Sequence, residues 1–187
     1  YLSLQYIPRE GLLKAFRSLC PEDIQIKAVS YVPLSFHSRY FAKSREYRYR
    51  VSEDEIPLSM ANFMEKVGFT VDLKKTAFLA DFLPGEHDFK HFRALGSEEP
   101  STVRCIYFFD IKKCEILDLV NLAPHGYYEV TIVGNSFLYK MVRNLIGAIF
   151  ELWKGRIDEH CFRQMFRSSE PSFQYQTVLA KGLSLTK

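Results

Sequence analysis

No stretch of the 187 residues is apolar for long enough to span a bilayer, which takes about 20 consecutive apolar residues, so nothing reads as a transmembrane helix. The four cysteines, Cys20, Cys105, Cys114 and Cys161, form no CxxC pair, and no histidine stands at a zinc-like spacing from two of them. They read as inert free thiols, and their scatter fits a reducing, cytoplasmic compartment. GxSxG, P-loop, GxGxxG and HExxH are all missing, which removes the common hydrolase, kinase, dehydrogenase and metalloprotease signatures. There is no internal repeat and no low-complexity segment. No signal peptide is visible and the first residue is not Met. The opening Tyr1-Leu-Ser-Leu-Gln-Tyr6 alternates like a strand already under way, so further residues are expected to precede it.

What is present is an ordinary globular composition, 47% hydrophobic and 25% charged, with 16 Phe and 11 Tyr. Such rings fill cores and also supply stacking surfaces for bases. The net charge of +3 permits an anionic partner without arguing for one.

The patterning predicts strands at 1–6, 24–32 and 44–51, and helices at 11–19, from Ser59 or Met60 to 67, and at 73–83 capped by Asp72. A β-rich run at 102–113 is expected to turn at His125-Gly126 into an antiparallel strand over 127–133. A long helix follows over 137–154, stopped by Gly155, then one capped by Asp158 to about 166, an irregular stretch at 171–179, and a last short strand over 179–185. Interspersed helices and antiparallel strands give an α+β class.

Three segments stand out for chemistry. In Gly134-Asn-Ser-Phe-Leu-Tyr-Lys-Met-Val-Arg-Asn-Leu-Ile-Gly147, the residues Phe137 or Leu138, Met141, Val142, Leu145, Ile146, Ile149 and Leu152 make one apolar stripe. Lys140, Arg143, Asn144 and Gly147 share another face. Arg143 has no acid within four residues on either side, and an arginine near a core wants a carboxylate or phosphate from elsewhere. The bland alternative is a core helix whose polar residues face water.

Between residues 37 and 50, five Arg or Lys and one His stand against one Glu. Strand geometry puts Arg45, Tyr47, Tyr49 and Val51 on one face and Glu46, Arg48 and Arg50 on the other. Arginines interleaved with aromatics suit a nucleic-acid backbone and a stacked or flipped base. An edge strand with a solvated face and two core tyrosines fits equally. In Pro84-Gly-Glu-His-Asp-Phe-Lys-His-Phe-Arg93, the donors Glu86, His87, Asp88 and His91 are adjacent on a turn, which suits capping better than a metal. Phe89 and Phe92 are expected to pack inward. The lone histidines His125 and His160 carry no assignment.

Taken together these segments resemble the tRNA pseudouridine synthase A family. The resemblance is carried, in the family's order, by Phe36-His-Ser-Arg39 with Arg45-Glu-Tyr-Arg-Tyr49; by Gly85-Glu-His-Asp-Phe89 with Phe92-Arg93; by Gly134 to Asn144; and by Ala180-Lys-Gly-Leu183. Pro21-Glu-Asp-Ile24 fits a further family segment. The resemblance implies a mostly antiparallel sheet flanked by helices, the pseudouridine synthase fold. It implies residues 1–32 as the tail of an amino-terminal domain and 33–187 as a carboxy-terminal domain contributing to an active-site cleft.

It also implies an isomerase that converts uridine to pseudouridine in the anticodon arm of tRNA, at positions 38–40, as a homodimer, with no metal and no cofactor. The family's nucleophile is an Asp in an Arg-Thr-Asp-Ala-Gly-Val-His loop. That loop is absent from this sequence and is expected upstream of Tyr1; a chain truly without it would be an inactive RNA-binding module. Tyr47 matches the family's active-site tyrosine, Arg143 the basic partner of the Asp, and Leu183 an apolar residue near the base pocket. By charge, His37, Arg39, Lys43, Arg45 and Arg48 are the expected phosphate contacts.

Overall fold

The computed structural model describes residues 8–94, 96 and 99–186, and the chain divides into two compact units, Tyr1–Ala42 and Lys43–Lys187. The strand expected at 1–6 lies outside the described residues. In the first unit, helix α1 (Arg9–Leu19) begins just after Pro8, whose ring suits a helix start, and stops at Cys20-Pro21. The strand expected at 24–32 does not form. A strand needs a neighbour, and this unit offers none among its described residues. Its backbone is held instead by single contacts, such as Arg17 Nε donating to the Ile26 carbonyl at 2.9 Å. The break expected between residues 32 and 33 lies inside this unit. There Phe36 N–H bonds the Pro33 carbonyl and Phe36 packs on Phe41, 5.7 Å between ring centres.

The second unit is a six-stranded sheet with helices on one face. Strand β1 (Arg45–Ser52) pairs antiparallel with β5 (Ala123–Gly134), which pairs antiparallel with β4 (Val103–Asp118), which in turn carries β3 (Gly85–Asp88). The other edge of β1 is shared. Its middle, Tyr47, Arg48 and Tyr49, pairs antiparallel with β6 (Leu183–Leu185) and its last two residues pair parallel with β2 (Glu65–Lys66). This is the mostly antiparallel, helix-flanked α+β arrangement expected for a pseudouridine synthase fold.

Helix α3 (Met141–Trp153) covers one face, and Leu145, Ile146 and Ile149 join Tyr49, Val51, Val130 and Ile132 in one buried cluster. Beside it, the chain from α2 (Leu79–Phe82) and α4 (Glu159–Gln164) builds a ring cluster. Phe78, Phe82, Phe89, Phe92, Phe162 and Phe166 meet at centroid distances of 5.1–6.4 Å, and Tyr175 stacks on Phe92. Much of the phenylalanine excess is therefore core, Phe89 and Phe92 being fully buried as expected.

Four expectations are corrected. The helix expected to start at Ser59 or Met60 is one 3₁₀ turn, Leu58–Met60, because residues 65–67 are recruited by β1: Val67 N–H bonds the Ser52 carbonyl at 2.9 Å. The helix at 73–83 keeps its cap, the Asp72 carboxylate accepting from Lys74 N–H at 3.0 Å, but splits into a 3₁₀ turn (Leu73–Thr76) and α2. At the break, Thr76 Oγ1 accepts from Trp153 Nε1, a tertiary bond that fixes it outside a continuous helix. The hairpin does not turn at His125-Gly126, which pair with Ile116 and Glu115 inside the ladder. It turns at 119–122, where Asp118 accepts from Val120 N–H (2.9 Å) and from Asn121 Nδ2 (2.7 Å). An aspartate that bonds its own turn outcompetes a glycine that merely tolerates one. The long helix begins at Met141 rather than 137, because Lys140 sits left-handed at φ 57°.

Glycine at 147 is dictated by closeness: a Cβ there would lie 2.1 Å from the Gln176 carbonyl oxygen. Alanine gains about 1 kcal/mol of helix propensity, whereas overpacking against backbone costs about 1–3 kcal/mol and no rotamer relieves it. Gly147→Ala is therefore expected to destabilise the protein by up to about 2 kcal/mol net in urea denaturation; a raised midpoint would contradict the packing.

Candidate active site

Strand register builds the site. Tyr47 stands opposite Ile132 of β5 and Leu185 of β6, and Tyr49 opposite Val130 and Leu183. With the two-residue period, Tyr47, Tyr49, Leu183 and Leu185 share one face. Tyr49 is fully buried, while Tyr47 is half-buried with its ring edge-on to Phe137 at 5.1 Å. Tyr47 thus has one side packed and the other not enclosed by core.

Phe137 is delivered by a tightly shaped connection. A side chain at Gly134 would lie 2.9 Å from the Cys105 carbonyl. Asn135 bonds Cys105 in both directions, its N–H donating at 3.0 Å and its Oδ1 accepting at 3.2 Å. Arg45 Nη1 donates to the Asn135 carbonyl at 2.9 Å, so Arg45 braces the loop that carries Phe137.

The polar stripe of α3 does not face water. Asn144 is 4% exposed; its Nδ2 donates to the Phe92 carbonyl at 2.8 Å and its Oδ1 accepts from Thr177 Oγ1 at 2.6 Å. Arg143 Nε donates to the Val178 carbonyl at 2.7 Å. Gly147 admits Gln176, and the Leu179 carbonyl lies 2.8 Å from the Tyr49 hydroxyl, which donates to the Glu65 carboxylate. Residues 176, 177, 178 and 179 are thus fastened one by one, to Gly147, Asn144, Arg143 and Tyr49. Gly182 completes the seam, since a Cβ there would sit 2.8 Å from the Tyr49 ring. The irregular stretch is laid down in register, and it delivers Leu183 to β1.

Arg143 forms no ion pair among the described residues. A guanidinium has five N–H donors in a fixed fork, and the one on Nε is used on Val178. Burial pushes the Tyr49 hydroxyl well above its ordinary pKa; the Glu65 bond and charge add to this, and the Arg143 charge opposes it more weakly.

The opposite face of the sheet holds the charged ladder. Glu129, 4% exposed, pairs with Arg50 at 3.0 Å and Arg48 at 3.4 Å, and Arg48 also meets Glu46 at 2.8 Å. Arg48 therefore lies across the sheet from Tyr47. Lys43 is exposed at the start of the second unit. His37 and Arg39 lie exposed in the first unit, where His37 Nδ1 accepts from Arg39 N–H at 3.3 Å. The turn donors are dispersed: Asp88 accepts from Lys90 N–H and Thr102 Oγ1, His91 meets the Ser168 carbonyl, and His87 is lodged among Phe82, Phe89 and Phe166. Among the described residues no three His, Cys, Asp or Glu are grouped for a metal. All four cysteines are free and half-buried. Glu65, Phe137 and Thr177 also shape the site, and sequence reasoning missed their part in it, although Phe137 stands at the head of the apolar stripe, three residues before the left-handed Lys140.

The family described as tRNA pseudouridine synthase matches residues 79–187. A tRNA pseudouridine synthase A of Thermoanaerobacter sp. (strain X514) is 32% identical over 182 residues, covering 97% of this chain and 70% of the relative. One from Clostridium kluyveri is 31% identical, over 100% and 73%. One from Chlamydia trachomatis serovar L2b is 36% identical, over 95% and 63%.

The buried phenols set an alkaline limit. Tyr175, whose hydroxyl donates to the His91 carbonyl, is pushed up to about 12 by burial, and Tyr49 is raised further. A raised folded-state pKa gives stability that is whole below the unfolded pKa of about 10 and is lost as pH climbs through the folded one. Stability is expected to hold to about pH 10 and fall between about 10 and 12. Tyr175→Phe should flatten that fall in urea titrations at stepped pH, and an equally steep fall would contradict the assignment.

Proposed function

The chain belongs to the tRNA pseudouridine synthase family, and from that premise we propose that it isomerises uridines of the tRNA anticodon arm, positions 38–40, to pseudouridine. The N1–C1′ bond breaks, the base turns, and a C5–C1′ bond forms; C5 gives up one proton and N1 gains one. Atoms and electrons balance within the nucleotide, so the net change asks for no redox partner and no group donor.

The half-buried Tyr47 beside Phe137 supports the reading most. Flipping a uridine out of a stem costs a few kcal/mol, and stacking on an aromatic ring returns about 1–3 kcal/mol per base. In this reading the Tyr47 ring holds the base, its hydroxyl serves the C5 proton, and Leu183 lines the apolar side. The nucleophile is an Asp on a segment upstream of Tyr1. Arg143 presents its remaining N–H donors to that carboxylate and keeps it ionised. Leaving one partner of a fully buried ion pair alone costs about 3–5 kcal/mol, and the half-buried Arg143 a part of that, which is reason for the two to be retained together. Phosphates are contacted by His37, Arg39, Lys43, Arg45 and Arg48, the last in competition with Glu46 and Glu129. The partners are tRNA and a second copy of the chain, in the cytoplasm.

In the intact protein, Tyr47→Phe is expected to bind tRNA like the parent while losing most pseudouridine formation; parental turnover would remove the assigned role. Replacing Arg39 and Arg48 together should weaken tRNA binding and reduce the slope of log affinity against log salt by about 1–2, a full phosphate contact being worth about 0.7–0.9. A slope equal to the parent's would count against the phosphate assignment.

A further inference from the structure

Arg143 is aimed by a backbone carbonyl, and that carbonyl is itself held from both sides. We propose that Thr177, acting with Asn144, is a positioning residue that sets the direction of the Arg143 guanidinium through the Val178 carbonyl. The inference rests on the function proposed above and adds to it residues that do not touch the substrate.

The geometry runs through three hydrogen bonds and one close polar contact. Arg143 Nε meets the Val178 carbonyl at 2.7 Å, which fixes the guanidinium plane because the group is rigid and flat. On the amino side of Val178, Thr177 Oγ1 donates to Asn144 Oδ1 at 2.6 Å. On its carboxyl side, the Leu179 carbonyl lies 2.8 Å from the Tyr49 hydroxyl. Asn144 cannot swing to follow the segment, since its Nδ2 is held by the Phe92 carbonyl at 2.8 Å and its side chain is buried. Asn144 also directly follows Arg143 on α3. One turn of helix therefore both supplies the guanidinium and pins the strand of backbone that orients it. Without the Thr177 hydroxyl, the 176–178 segment keeps the buried Val178 side chain, the Arg143 bond and the Gly147 contact, but loses the hydrogen bond that fixes the peptide before Val178 to α3. The guanidinium and the carbonyl are then free to shift together, and a misplacement of about 1 Å at a reacting group costs up to about a hundredfold in rate.

Thr177 is itself exposed, beside an open cleft lined by Gly147, Phe150, Gln176 and Val178. Its hydroxyl can be removed without opening a cavity; the Asn144 oxygen left unpaired costs some stability, so rates are compared where every variant is shown to be folded.

The test uses the intact protein and tRNA transcript, with single-turnover pseudouridine formation at saturating enzyme and tRNA affinity measured separately, well below the melting temperatures. Thr177→Val keeps the shape and removes the donor; Thr177→Ser keeps the donor. The expected result is a rate about tenfold lower in Thr177→Val with tRNA affinity unchanged, and a rate near the parent's in Thr177→Ser. A parental rate in Thr177→Val, a loss confined to affinity, or an equal loss in Thr177→Ser overturns the inference while leaving the proposed function standing. A wild-type protein that forms no pseudouridine overturns both.

Discussion

The contact on which the site depends is the seam between the polar stripe of α3 and residues 176–179. Leu183 and Leu185 reach the neighbourhood of Tyr47 through it, while Phe137 arrives by the connection from β5 to α3. The seam fixes the Val178 carbonyl under Arg143 and the Leu179 carbonyl over the Tyr49 hydroxyl, and it starts the approach that delivers Leu183 to the edge of β1. It is made of one glycine that must be small, one amide satisfied on both its ends, and one guanidinium, each in van der Waals or hydrogen-bonding contact with the next residue along. A buried polar group left unpaired costs about 1–3 kcal/mol, so the partners are fixed as a set.

The two faces of the sheet divide the labour. The helix-covered face places aromatic and aliphatic side chains, with one side of Tyr47 packed on Phe137. The other face carries Glu129, almost without exposure, neutralised by Arg48 and Arg50. A carboxylate so enclosed needs its cations, which keeps Arg48 engaged with the protein before any phosphate arrives. The ring cluster around Phe92 serves the site at one remove, because the Phe92 carbonyl holds the Asn144 amide.

The alternation of Arg45–Ser52 was legible because a two-residue period with bulky rings has few other readings, and it correctly separated Tyr49 and Val51 from Arg48 and Arg50. The body of α3 was legible from its apolar stripe. Its polar stripe was not, since the partners of Arg143, Asn144 and Gly147 lie about thirty residues on, in a stretch with no periodicity of its own. Leu183 sharing a face with Tyr47 depends on the β1–β6 register, which no local pattern encodes. The helices expected at 60–67 and 73–83 yielded to a strand pairing and to a tertiary bond at Thr76, both invisible locally. The hairpin turn is encoded by Asp118, whereas Gly126, the stronger local turn signal, sits inside the ladder.

Arg143 is held by the Val178 carbonyl, and in the proposed function its remaining donors meet the carboxylate of the nucleophilic Asp. A crystal structure of the intact protein bound to tRNA is the decisive measurement. An Asp carboxylate is expected within about 2.7–2.9 Å of an Arg143 Nη, with Nε still on the Val178 carbonyl. An Arg143 paired instead with Glu65, or turned to solvent while the upstream carboxylate stands elsewhere, would contradict it.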